Sequence, residues 1–171
     1  EVVQDWPQDL SDLPDHEDWT YGSGQGVFAE SPDRIFLLHR GELPNIESPA
    51  QTVYPEAGPA LSFPVAQLPW RNASVGPRSS LPGALDGDDT DRGEAGIDHN
   101  WEHCLVVVNE EGTIIEEWTQ WDDLFRRPHF VTINPYDPEK HVWVVDDYRH
   151  AIFKFTNDGS ELVQTIGTPD V

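Results

Sequence analysis

Apolar residues in this chain are bunched into short β-branched and aromatic runs, and none recurs at the spacing of a helix face. The stretch Gly26 to Ser31, the Pro32-Asp33 turn and the run Arg34 to Arg40 read as strand, turn, strand. Phe130 to Ile133, a short turn and His141 to Asp147 repeat that arrangement. Further along, Leu105-Val-Val-Val-Asn109-Glu-Glu-Gly112 matches Ile152-Phe-Lys-Phe-Thr156-Asn-Asp-Gly159 without a gap. Each is followed by another β-rich run, Thr113 to Trp118 and Glu161 to Ile166. The pattern predicts an all-β chain with two units of four strands. Four-stranded units at a period of about 40–50 residues are the signature of β-propeller blades.

The second unit spans roughly 128–167 without interruption. In the first, strands two and three are separated by about 41–103, a Pro-, Gly- and acid-rich stretch with neither helical nor strand period. It predicts a long irregular insertion, with Tyr54, Phe63, Leu68 and Trp70 spaced along it to pack on the sheet. The expected organisation is a lead-in segment 1–23, a first blade 24–120 carrying that insertion, and a second blade 121–171. In an antiparallel four-stranded sheet the loop between strands two and three leaves by the same end as the connection into strand one. Arg40, His129 and the insertion are therefore expected on one rim.

Composition changes this picture mainly through charge. With 32 Asp+Glu against 10 Lys+Arg the formal charge is −22. A polyanion needs a basic footprint, so nucleic acid is excluded as a partner, and an anionic membrane surface is disfavoured for the same reason. Scarce Lys and abundant acid suit concentrated salt or an acidic secreted protein. Seven Trp, seven Phe and four Tyr supply bulk for a core. A single cysteine, Cys104, forbids an intrachain disulfide and reads as a small buried hydrophobe. No apolar run reaches the ~20 residues of a membrane span. The start at Glu1, the absence of Met and an Asn72-Ala-Ser74 sequon fit an extracellular or secreted chain or a fragment.

Several short motifs, in order, resemble the peptidyl-α-hydroxyglycine α-amidating lyase family, six-bladed propellers akin to NHL-repeat proteins. They are Asp5-Trp6-Pro7, Gly26-Val27 followed twelve residues later by His39-Arg40-Gly41, and Leu124-Phe125 before Pro128-His129. Trp143-Val144 with Asp146, Phe153-Lys154-Phe155 and Ile166-Gly167 complete the set. The resemblance implies that His129 is one of three histidines holding a catalytic zinc. It implies that Arg40 is an active-site arginine, catalytic and substrate-binding, whose fork orients a carboxylate. It also implies that the backbone carbonyls of Val27 and Val131 bind a structural calcium. The activity it implies is metal-dependent cleavage of an N–C bond to give an amide and glyoxylate.

The resemblance puts the other zinc ligands in later blades, so activity is expected only in a propeller completed by more blades from a longer chain or another subunit. Its substrate is expected to be a peptide or small carboxylate. The alternative is a noncatalytic NHL-type propeller acting as a binding or assembly module, including a ring of three such chains. Other residues receive plainer readings. Alternation turns His39 to the opposite side of its strand from Arg40, as a packing residue. His99 and His103 read as exposed loop histidines, the run Asp86, Asp88, Asp89, Asp91 as a solvated acidic loop, and Asp146 and Asp147 as turn-formers accepting from backbone or Arg149.

Overall fold

Two antiparallel four-stranded sheets make up nearly all of the regular structure in a computed structural model that describes residues 6–45, 51–53, 62–64, 96–97 and 99–169. The first contains β1 (Trp19–Ser31), β2 (Arg34–Pro44), β5 (Leu105–Val108) and β6 (Ile114–Glu117), in the order β1-β2-β5-β6. The second contains β7 (Pro128–Ile133), β8 (Val142–Asp146), β9 (Ala151–Phe155) and β10 (Leu162–Gly167), in the order β10-β9-β8-β7. Single 3₁₀ turns at Leu10–Asp12 and Thr119–Leu124 are the helical elements among the described residues. None is long and apolar enough to cross a membrane.

The two sheets share one register. Phe36 faces Phe28 on one side and Val107 on the other, as Trp143 faces Thr132 and Lys154. Two of the irregularities repeat as well, one on the inner and one on the outer strand pair. A register shift leaves Gln25 as the extra residue between Gly24 and Gly26, and another leaves His129 between Pro128 and Phe130. Ile115 and Val163 are the extra residues of the outer strands. Repeated β-bulges at matching positions mark the second sheet as a copy of the first.

Packing is front to back. Phe36, Leu38, Leu105 and Val107 of the first sheet join Val131, Val142, Val144, Phe153 and Phe155 of the second in one buried core, with Trp118 and Phe125 between. In the shared register, Val144 and Phe153 correspond to Leu37 and Val106. Leu37 and Val106 lie on the opposite face of the first sheet, in a smaller cluster covered by Trp6, Tyr21, Ile35 and Ile114. Trp6 is pinned there by its indole N–H to the Glu110 carbonyl (3.1 Å). Arg34 ties the sheets together at one end, donating to Glu116, Glu30 and both the side chain and carbonyl of Asn157.

The stretch expected to be irregular from 41 to 103 is partly regular. β2 runs on to Pro44, Glu42 bridges Asn100, and a small hairpin pairs β3 (Gln51–Val53) with β4 (Ser62–Pro64). Gly41 permits the continuation: its φ of +63° is in the left-handed region, and a side chain there would meet the Asn100 carbonyl. β1 likewise begins at Trp19, inside the stretch read as lead-in. The side chains of Tyr54, Phe63, Leu68 and Trp70, the Asn72 sequon and the run Asp86 to Asp91 lie outside the described residues.

Candidate functional site

The two bulges meet. His129 Nδ1 is 2.8 Å from Gln25 Oε1, so the extra residues of neighbouring inner strands touch each other at one end of the sheet pair. Arg40 Nη2 stands 3.4 Å from the same imidazole nitrogen. Arg40, His129 and the start of the insertion thus come together as strand order predicts. Beside them Arg127 grips Asp147 with Nε to Oδ1 (2.7 Å) and Nη2 to Oδ2 (3.1 Å). Partial burial opposes ionisation of Asp147, but the bonds from Arg127 outweigh it and hold the carboxyl below its usual range, with weaker help from His129 and Arg40.

Asp146, fully buried, fixes the backbone under this site. It accepts from the amides of Arg126 (2.6 Å), Arg127 (2.9 Å) and Arg149 (3.0 Å), locking the β8–β9 turn to the segment entering β7. Asp146 therefore accepts from backbone as predicted for a turn residue, whereas the Asp147 carboxylate is held by the Arg127 side chain, a different partner from those predicted. Four of the ten basic residues, Arg40, Arg126, Arg127 and Arg149, gather at this end of a chain whose net charge is −22. Val27 and Val131 occupy matching positions on β1 and β7. Their strands approach main chain to main chain, since a Cβ added at Gly26 would stand 3.3 Å from the Val131 amide nitrogen.

His39 packs inward, as alternation predicts. Its Nδ1 donates to the Gly41 carbonyl (2.8 Å), its ring meets Tyr21 edge-on, and burial pushes its pKa down to about 4. The reading of His99 and His103 as exposed is overturned: they are 6% and 3% exposed. Asp122 is the reason at His103. Its carboxylate accepts from the amides of His103 and Cys104 (2.9 Å each) and draws that segment under the second 3₁₀ turn. Burial pushes the Asp122 carboxyl up to about 7 in spite of those bonds.

A second site, missed in the sequence, follows from that burial. His103 Nδ1 lies 2.6 Å from Glu42 Oε1, and His16 Nδ1 lies 3.0 Å from the same oxygen. Glu102 and Glu117 approach the outer nitrogens of His16 (3.5 Å) and His103 (3.3 Å). Glu42 is fully buried and Asn100 Nδ2 donates to its other oxygen (2.8 Å). These groups come from four separate stretches of chain. Only the adjacency of Glu102 and His103 was visible in the sequence.

Zinc at His129 meets a limit in this chain. Among the described residues, His129 belongs to neither grouping of three or more His, Cys, Asp or Glu side chains close enough to share an ion. Those groupings are His16, Glu42, Glu102, His103 and Asp137, Glu139, His141. Comparison with protein-family models, with curated proteins and with solved structures returns no match.

Proposed function

We propose that the two sheets are neighbouring blades of an NHL-type β-propeller, and that the Gln25, Arg40, His129 end is part of a central site taking a carboxylate-bearing ligand. The observation that carries this is the meeting of the repeated bulges at 2.8 Å, because the same inner-strand position in successive sheets then faces a common axis. Front-to-back packing supports the same reading. The face of the second sheet carrying Trp143, Val145, Ile152 and Lys154 corresponds in register to the Phe36, Leu38, Leu105, Val107 face buried in the first. A third sheet can stack there as the second stacks on the first, and a heterologous contact repeated by rotation closes a ring.

Within a completed ring the reaction class is that of the amidating lyases. The N–C bond of a carbinolamide breaks, the hydroxyl proton is lost, the nitrogen gains a proton, and amide and glyoxylate result. Arg40 supplies a fork for the substrate carboxylate. Its position among four basic residues in an acidic chain supports an anionic ligand. His129 offers one imidazole nitrogen backed by Gln25, as metal-bound histidines commonly are. One imidazole does not make a zinc site, so the metal would require ligands from other blades. The carbonyls of Val27 and Val131 are proposed as the calcium-facing positions, supported by the close approach of β1 and β7.

The isolation of His129 from other ligand side chains favours a second reading, a noncatalytic propeller that binds through the same end. Glyoxylate release from an α-hydroxyglycine peptide by the assembled protein separates the two. The lyase reading requires release that is lost with His129→Ala and requires zinc and calcium by elemental analysis. Peptide binding that needs Arg40 without turnover supports the binding module. A stable monomer of the 171-residue chain with no further blades would sink both.

A further inference from the structure

We propose that His16, Glu42, Glu102 and His103 form a binding site for a divalent transition metal of the zinc class, separate from the Arg40–His129 end. One ligand atom from each residue lies within 4.8 Å of those of the other three, the span of a shared coordination sphere. Two imidazoles with carboxylates suit zinc and its neighbours, whereas calcium and magnesium prefer all-oxygen shells.

The site is built rather than incidental. Its central carboxylate, Glu42, is fully buried and oriented by Asn100 at 2.8 Å. A carboxamide behind a ligand is the kind of outer-shell partner that fixes metal sites. His103 has a φ of +54°, a left-handed conformation that costs a residue with a side chain about 1 kcal/mol or more. The Asp122 carboxylate pays for it by holding the His103 and Cys104 amides. The same kink breaks the alternation of an extended chain, so that the successive side chains Glu102 and His103 both reach the cluster.

Charge points to a cation. The cluster opens into a cavity of about 600 Å³ also lined by Glu117 and Asp123. Glu42, Glu102, Glu117 and Asp123 are four carboxylates facing two imidazoles. Against those negative charges a divalent ion bound by neutral histidines supplies two positive ones, as much as two imidazolium ions would.

The test uses the full chain, stripped with a chelator and titrated with zinc(II) by calorimetry, with elemental analysis of the product. One zinc per chain is expected here, and cobalt(II) in its place should give visible absorption with nitrogen ligation. Glu42 and His103 are buried and their loss can unfold the chain, so the partly exposed His16→Ala and Glu102→Gln carry the comparison. Each should weaken zinc by at least the roughly 10–100-fold that loss of an outer-shell partner costs, with Asn100→Ala within that range. Absence of zinc uptake, uptake indifferent to His16→Ala and Glu102→Gln, or calcium bound as well as zinc would overturn the assignment.

Discussion

Replacing Asp146 tests whether one buried carboxylate holds the candidate site in shape. Its Oδ2 takes the amides of Arg126 and Arg127 and its Oδ1 that of Arg149, all in a fully buried position. Asp146→Ala leaves two buried N–H groups and one partly buried N–H without this acceptor. At about 1–3 kcal/mol for each donor stranded away from water, the cost is about 2 kcal/mol or more. Asp146→Asn keeps one acceptor oxygen and turns an NH₂ toward an N–H, so an intermediate loss of about 1–3 kcal/mol is expected. The neighbouring Asp147→Ala breaks only a partly exposed ion pair with Arg127 and should cost about 1 kcal/mol or less. Equilibrium urea denaturation followed by tryptophan fluorescence measures all three. Because residues 126 and 127 lead directly into the bulge, Asp146→Ala should also disturb the His129 ring in an NMR spectrum. An Asp146→Ala protein within about 1 kcal/mol of the parent, or no less stable than Asp147→Ala, would refute the reasoning.

Three other expectations bear on the core and its charges. Gly159 has a φ of +70° and an added Cβ would sit 2.5 Å from the Trp118 indole, so Gly159→Ala should destabilise by about 2 kcal/mol or more, while Gly24→Ala, with open space around it, should change little; equal effects in urea would contradict this. His39, with a folded pKa of about 4, is protonated more readily unfolded than folded. The unfolded chain thus gains the proton first as pH falls from about 6.5, so this group's stabilisation is complete above that pH and is lost toward pH 4. An NMR titration should place the His39 midpoint near 4, and a midpoint above about 6 would exclude the buried neutral ring. Burial opposes ionisation of Glu30 and Glu116, but bonds from Lys140 and Arg34 to Glu30, and from Arg34 and Trp118 to Glu116, hold both below the usual carboxylate range. Their contribution is present above about pH 4.3 and is lost as pH falls through the lowered values. Arg34→Met should remove most of that acid dependence along with the tie between the sheets; an unchanged acid limb in urea midpoints against pH would count against it.

Strand identity was legible in the sequence because β-branched and aromatic runs of this length form strands whether burial alternates, as in Ala151–Phe155, or covers both faces, as in Leu105–Val108. Ile152 to Phe155 declares its inward Phe153 and Phe155 on the page, and Asn-Asp-Gly and Pro-Asp mark the turns. The repeat was legible for the same reason, as was the convergence of Arg40 and His129, since strand order alone decides which loops share an end. The bulges at Gln25 and His129 were not, because one extra residue in a strand shows only against its partner's register. Nor were the continuation of β2 past Arg40 and the burial of His99 and His103 visible, since the surrounding composition is that of a loop. His16, Glu42, Glu102 and His103 lie far apart or in polar stretches, and no spacing rule joins them. The Asp122 bonds to the His103 and Cys104 amides, the left-handed turn at Gly41 and the Glu42–Asn100 bridge bring Glu42, Glu102 and His103 together, and His16 meets them through Glu42. Local propensity decides which segments become strands; it takes the tertiary contacts to decide which polar groups are desolvated beside one another, and the candidate chemistry lies there.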